Sequence, residues 1–121
     1  MQKEVKDFFK QLQTDSDLER RFKAVSDQKE FGKVIAPYIK GCDPKKFVEE
    51  LVEVWDVING KKSNKINQKD LTAVSGGKAL TMDSVKNGMN KFLAGFKGAI
   101  QIGKQVVKEG NDFYRYVKGL L

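Results

Sequence analysis

The polar residues of the C-terminal third of this chain recur with the period of an α-helix. From Lys86 to Lys118 they are separated by intervals of 3, 4 or 7 residues, which keeps them on one side of a helix. The basic members of this stripe are Lys86, Lys97, Lys104, Lys108, Arg115 and Lys118. Apolar residues fall largely opposite, so the sequence predicts a long amphipathic helix, or two helices broken near Gly110.

Shorter amphipathic segments with helix-start signals fill the first half of the chain. Asp27 precedes Glu30 with the spacing of a capping box, and apolar residues at helical intervals follow. Asp43 is followed by Pro44, a residue that suits the first position of a helix. The repeated pattern predicts an all-α fold, a small bundle of four to six short helices with a long amphipathic C-terminal helix.

Composition removes several classes of function. The chain has no histidine and a single cysteine, Cys42, which excludes an intrachain disulfide, zinc sites of the usual His and Cys ligands, and a His-based catalytic triad. No glycine-rich phosphate loop follows a strand pattern, and no nucleophile stands beside a base. We therefore expect a protein that is not an enzyme and that has neither a metal site nor a cofactor.

The net charge of +7 is distributed unevenly along the chain. Residues 1–77 hold 15 basic and 13 acidic side chains, whereas residues 78–121 hold 8 basic and 3 acidic ones. A basic chain invites comparison with nucleic-acid-binding proteins, but no base-reading module is recognisable, so nucleic acid is disfavoured as a partner. The charged N-terminus lacks the apolar region of a signal peptide, and no stretch approaches 18 apolar residues.

Gly76 and Gly77 form a pair that is uninformative alone, because roughly one such pair is expected by chance in a chain with 11 glycines. The pair ends a short, weakly helical stretch. With Gly77 counted as position 1, the apolar residues Val74, Leu71 and Ile66 lie at positions 4, 7 and 12 before it. The acidic residue Asp70 lies at position 8. These side matches coincide by chance in under about one case in a hundred. They predict three parts: a helical region over 1–60, a linker and cleavage segment over 61–77, and a cationic amphipathic peptide over 78–121.

This ending resembles the double-glycine leaders of bacterial peptide precursors, which a papain-like peptidase domain fused to an ABC exporter cuts after the second glycine. Residues 4–77 as a whole resemble the nitrogen-fixation-related leaders of ribosomally made, modified peptides, through an early Phe-Phe helix, an Asp-rich break and the ending DLTAVSGG. The resemblance implies a cytoplasmic precursor, a secreted product, and an exporter and a maturation enzyme as partners. The peptidase would recognise Ile66, Asp70, Leu71 and Val74, with the apolar residues in a groove. Gly76 and Gly77 would lie in a tunnel that admits no Cβ.

Two features depart from that family. The leader region is basic on balance, where family members tend to be acidic. The segment after Gly77 has no cysteine and only Thr81 and Ser84 as hydroxyl-bearing candidates, which excludes or nearly excludes lanthionine and azole chemistry. An unmodified product and a product modified on another side chain are equally compatible with the sequence.

Small residues form a second pattern in the C-terminal segment. Glycines recur about every two helical turns with an alanine between two of them, at Gly88, Gly95, Ala99, Gly103 and Gly110. Glycine lowers helix stability by about 1 kcal/mol relative to alanine, so its recurrence points to close approach of another helix. The pattern resembles the GxxxG-like motifs of two-peptide and linear bacteriocins.

Phe92 and Phe96 add an aromatic face suited to membrane insertion, opposite a basic stripe that attracts anionic lipid. The alternative is the solvated face of a helix packed on residues 1–60.

Three functions follow as hypotheses. The first is a precursor of an exported, membrane-active bacteriocin. The second is a precursor whose C-terminal segment is enzymatically modified into a signalling or antimicrobial product. The third is an unprocessed basic helical protein that binds nucleic acid or a protein partner.

Overall fold

The computed structural model describes residues 1–61, 66–74 and 92–120, and within these ranges it contains helices and no strand. The α-helices are α1 (Lys3–Thr14), α2 (Ser16–Lys23), α3 (Gln28–Ile35), α4 (Pro44–Ile58), α5 (Gln68–Val74), α6 (Lys97–Glu109) and α7 (Asn111–Leu120). Short 3-10 turns follow α3 at Ala36–Tyr38 and precede α6 at Ala94–Phe96. The predicted all-α class and small bundle are confirmed.

Aspartate side chains start three of the helices. Asp15 accepts hydrogen bonds from two backbone N–H groups at the start of α2, and Asp27 accepts one from Glu30 at 2.8 Å at the start of α3. Asp43 accepts one from Lys45 at 3.0 Å, with a proline at the first position of α4. Each carboxylate satisfies donors that a helix start leaves unpaired and also interacts favourably with the helix dipole. These caps are local, which is why the sequence predicted two of them.

Aromatic side chains hold the centre of the bundle together. The ring of Phe8 in α1 lies edge-on to three others, with centroid distances of 5.2 Å to Phe22, 5.4 Å to Tyr38 and 5.5 Å to Phe47. Phe22 continues the chain of contacts to Phe96, at 5.1 Å. Edge-to-face pairs of this kind add about 0.5–1.5 kcal/mol each beyond the burial of their surface. The core therefore extends from the first helix into the C-terminal segment.

Within residues 92–120 the amphipathic segment forms two α-helices rather than one long helix. The break falls at Gly110, where an added Cβ would collide with the carbonyl oxygen of Val106. This is the second of the two arrangements that the periodicity allowed. The break lets α6 pack mainly on α4 while α7 packs mainly on α3.

Residues from both sides of the predicted cleavage site share one hydrophobic core. The ring centroids of Phe31 in α3 and Phe113 in α7 are 5.7 Å apart. Ile100 and Val106 of α6 are buried in the same cluster as Leu51 of α4. Residues 75–91, on which the predicted division at 77 depends, lie outside the described ranges. We call residues 1–60 the N-terminal bundle and residues 78–121 the C-terminal segment.

Tyr114 in α7 carries a buried hydroxyl that finds no hydrogen-bond partner among the described residues. Burial raises the pKa of this phenol to about 12, with smaller contributions in the same direction from Glu49 and Asp43. The neutral form is therefore favoured in the folded state. The shift leaves the stability of the fold unchanged below the ordinary tyrosine pKa of 10. As the pH rises from 10 towards 12 the fold loses stability, because the unfolded chain releases this proton first.

We expect Tyr114→Phe to raise the free energy of unfolding by about 1 kcal/mol at pH 7, because it removes a desolvated hydroxyl and keeps the ring. The variant should also lose less stability than the natural chain between pH 10 and 12. Urea unfolding at both pH values measures this, with Tyr116→Phe on the same helix as the control. A Tyr114→Phe protein that is less stable at pH 7 than the natural chain would show that the hydroxyl makes a stabilising bond.

Candidate processing and membrane-binding sites

Helix α5 begins with a reciprocal pair of side-chain caps. The Asn67 side chain accepts a hydrogen bond from the backbone N–H of Asp70 at 2.9 Å, and the Asp70 carboxylate accepts one from the N–H of Asn67 at 3.4 Å. This is the geometry of a capping box with aspartate in the third helical position. The helix ends at Val74, two residues before Gly76. The Asn-x-x-Asp spacing signals this cap, so Asp70 has a structural role besides the recognition role predicted for it.

The described members of the predicted recognition pattern face the bundle. Ile66 and Leu71 are buried, Leu71 completely, and Asp70 is only 7% exposed. Asp70 pairs with Lys6 of α1, with 3.4 Å between Nζ and Oδ1, and α5 packs against α1. Asp70 and Leu71 of α5 and Ile66 just before it are thus buried together, as binding to a groove requires, but α1 packs against α5 in this conformation. The side chain of Val74 and both glycines of the pair lie outside the described residues.

The aromatic and small residues of the C-terminal segment do not share one exposed face. Phe96 and Ala99 are buried, and Phe92 is half-buried with its ring 5.1 Å from that of Phe96. Gly103 is buried, whereas Gly95 is exposed beside the Lys23 side chain. Gly110 forms the turn between α6 and α7, and Gly88 lies outside the described residues. The apolar face of this segment is therefore turned towards its own chain.

The basic stripe lies on the opposite, solvent-facing side. Lys97, Lys108, Arg115 and Lys118 are exposed, and Lys86 lies outside the described residues. Lys104 is half-buried and pairs with Asp56 of α4, with 3.3 Å between Nζ and Oδ1. A partly exposed pair of this kind contributes at most about 1 kcal/mol. Most of the stripe is thus available to an anionic partner in the intact chain.

The single thiol of the chain is not activated as a nucleophile. Burial, with smaller contributions from Glu4, Glu50 and Asp43, raises the pKa of the Cys42 thiol to about 11. The thiol therefore stays protonated at neutral pH, whereas a nucleophilic cysteine needs a lowered pKa. Within residues 1–61, 66–74 and 92–120, no group of His, Cys, Asp and Glu side chains is arranged to hold a metal ion. No helix in these ranges is long and apolar enough to cross a membrane.

Comparisons with known proteins give this chain no relative. No protein-family model, curated protein or solved structure matches it significantly. The likeness to double-glycine leaders therefore stays a prediction.

Removing the α5 cap tests the docking of this helix. We expect Asn67→Ala to destabilise α5 by about 1 kcal/mol, which would raise hydrogen exchange of its backbone amides about fivefold if α5 opens separately from the bundle. Asn59→Ala is the matched control, because the Asn59 side chain donates to the Trp55 carbonyl at the end of α4. Unchanged exchange in α5 of the Asn67→Ala protein would show that the cap does not hold the helix in place.

Proposed function

We propose that this chain is the precursor of an exported cationic helical peptide that acts on membranes, of the bacteriocin type. A peptidase-containing ABC exporter would cut it after Gly77 and release residues 78–121, and residues 1–77 would serve as the leader. The observation that supports this most is helix α5. Asp70 and Leu71 of this helix are buried, as is Ile66 two residues before it, and the helix ends two residues before Gly76.

The exposed stripe and the buried apolar face supply the membrane-binding chemistry of the product. Each basic residue near an anionic membrane contributes about 1 kcal/mol of attraction, and an amphipathic helix inserts its apolar face beneath the lipid headgroups. In the intact chain that face, with Phe96, Ile100 and Phe113, is buried. The precursor would therefore be inactive on membranes, and the C-terminal segment would become active only after it leaves the N-terminal bundle.

One observation favours a second candidate. Phe96 and Phe113 complete the core that the N-terminal bundle begins, while the basic stripe stays exposed on the intact chain. An unprocessed basic helical protein that binds an acidic partner would have the same arrangement. The two candidates differ in whether the chain is cut.

Mass spectrometry of culture supernatant separates them. We expect a peptide that begins at Lys78 and ends at Leu121, either unmodified or with an altered mass if a maturation enzyme acts on it. Gly76→Val should abolish this peptide, because a Cβ would block the peptidase tunnel. Gly119→Val is the matched control, since a Cβ at Gly119 meets nothing within 4 Å. Only intact chain inside the cells, or normal maturation of Gly76→Val, would refute the precursor function.

Leu71→Asp is a less selective probe of the same site. Leu71 is completely buried, so an aspartate there would disturb the packing of α5 as well as any contact with a peptidase groove. The glycine pair is for this reason the better place to test recognition.

The charge of the stripe predicts how tightly the released peptide binds membranes. Replacing Lys97 and Lys108 with glutamine should weaken partitioning into phosphatidylglycerol vesicles by about 2 kcal/mol, or roughly 30-fold. Replacing Gln101 and Gln105 with alanine is the control, because these residues are exposed on the same helix and uncharged. Vesicle sedimentation measures both peptides. Equal partitioning of the two variants would show that the stripe does not drive binding.

A further inference from the structure

The N-terminal bundle presents a groove whose shape matches the C-terminal helices. The groove is formed by α2, α3 and α4, and α6, the 3-10 turn before it and α7 lie in it. Aromatic rings meet across it in two places, Phe22 with Phe96 at 5.1 Å and Phe31 with Phe113 at 5.7 Å. The occupant is a pair of amphipathic helices seated by their apolar faces, which is a recurrent mode of peptide recognition.

The groove and the C-terminal helices each have a glycine at the contact, and the missing Cβ leaves room for side chains of the opposite surface. On the groove side, a Cβ at Gly32 would come within 3.1 Å of Val117, 3.2 Å of Tyr116 and 3.3 Å of Phe113. On the side of the occupant, a Cβ at Gly103 would come within 3.3 Å of Val52 and 3.5 Å of Phe31. All of these distances except the 3.5 Å to Phe31 are shorter than ordinary packing, so a side chain at either glycine would push the two surfaces apart. Gly103 belongs to the small-residue pattern that predicted the close approach of another helix, whereas no sequence pattern marked Gly32.

Charged groups border the apolar contact. Lys104 of α6 pairs with Asp56 of α4 at 3.3 Å, and the Lys23 ammonium of α2 lies 5.8 Å from the centre of the Phe96 ring. An apolar centre with a polar rim is the usual composition of an interface between separate proteins. The contact between the N-terminal bundle and the C-terminal helices thus has the anatomy of a binding interface.

We infer that the N-terminal bundle is a binding protein for the C-terminal segment and retains it after the chain is cut between them. The cleavage of the chain in the cell rests on the proposed function, but the contact between the two parts does not. A covalent tether raises the effective concentration of the segment to about millimolar, and a cut removes only that contribution. The groove contacts are the same before and after. Because the groove covers the face that a membrane would receive, groove and membrane compete for the released peptide.

The test cuts the folded, full-length chain. A site for a specific protease, placed over residues 79–85, allows the chain to be nicked without separating its parts first. At about 10 µM, a concentration well below that effective molarity, we expect both fragments to elute together from a size-exclusion column. Separate elution of the two fragments of the natural sequence overturns the inference.

Glycine variants identify the groove as the contact that holds the fragments. Nicked Gly103→Leu should bind at least 100-fold more weakly than the nicked natural sequence, because its side chain meets Val52 and Phe31. Gly98→Leu is the control on the same helix, since Gly98 is exposed and its Cβ would make only an ordinary contact at 3.8 Å. Equal weakening by both variants overturns the assignment to this groove. If Gly103→Leu fails to fold before nicking, the elution of the natural fragments still decides the inference.

These outcomes are distinct from those of the proposed function. Fragments that separate overturn the retained complex and leave a cut after Gly77 untouched. Conversely, a culture without the peptide that starts at Lys78 refutes the proposed processing, whereas co-elution of the artificially nicked fragments would still establish the groove.

Discussion

The packing of α6 and α7 against α3 and α4 is the interaction on which the rest of this structure depends. It buries Phe96, Ile100 and Phe113, and it brings Phe31 of α3 against the last helix. Burial of a side chain of this size contributes about 1.5–3 kcal/mol, so several at one contact outweigh the small contributions of the surface ion pairs. The turn at Gly110 lets two helices share this contact instead of one.

The same apolar face has two uses that exclude each other. While it is buried in the bundle it stabilises the fold, and once it is free it is suited to a lipid interface. A similar exclusion applies to α5, because the side that a peptidase would read is the side that packs on α1. Access to either surface requires the molecule to open. The exposed basic stripe needs no such opening, so electrostatic attraction to an anionic surface can precede it.

The sequence was sufficient for the fold class because the relevant signals are local. The caps at Asp27 and Asp43 and the break at Gly110 depend on residues within a few positions of each other. Helical periodicity also identified the apolar face of the C-terminal segment. It did not determine what covers that face, since a partner helix, a membrane and the chain's own bundle all accept the same pattern. The role of Gly32, which is to leave room for Val117 and Phe113, could not be predicted for the same reason, since it depends on which helix packs against α3.

The central claim is that the apolar face is covered while the C-terminal segment stays on the N-terminal bundle and is exposed once the segment leaves it. Dye release from phosphatidylglycerol vesicles, measured at equal concentrations of the intact chain and of the isolated peptide 78–121, tests it most directly. The account predicts release by the isolated peptide and none by the intact chain. Equal release by the two would contradict it, because the N-terminal bundle would then not keep the apolar face from the membrane.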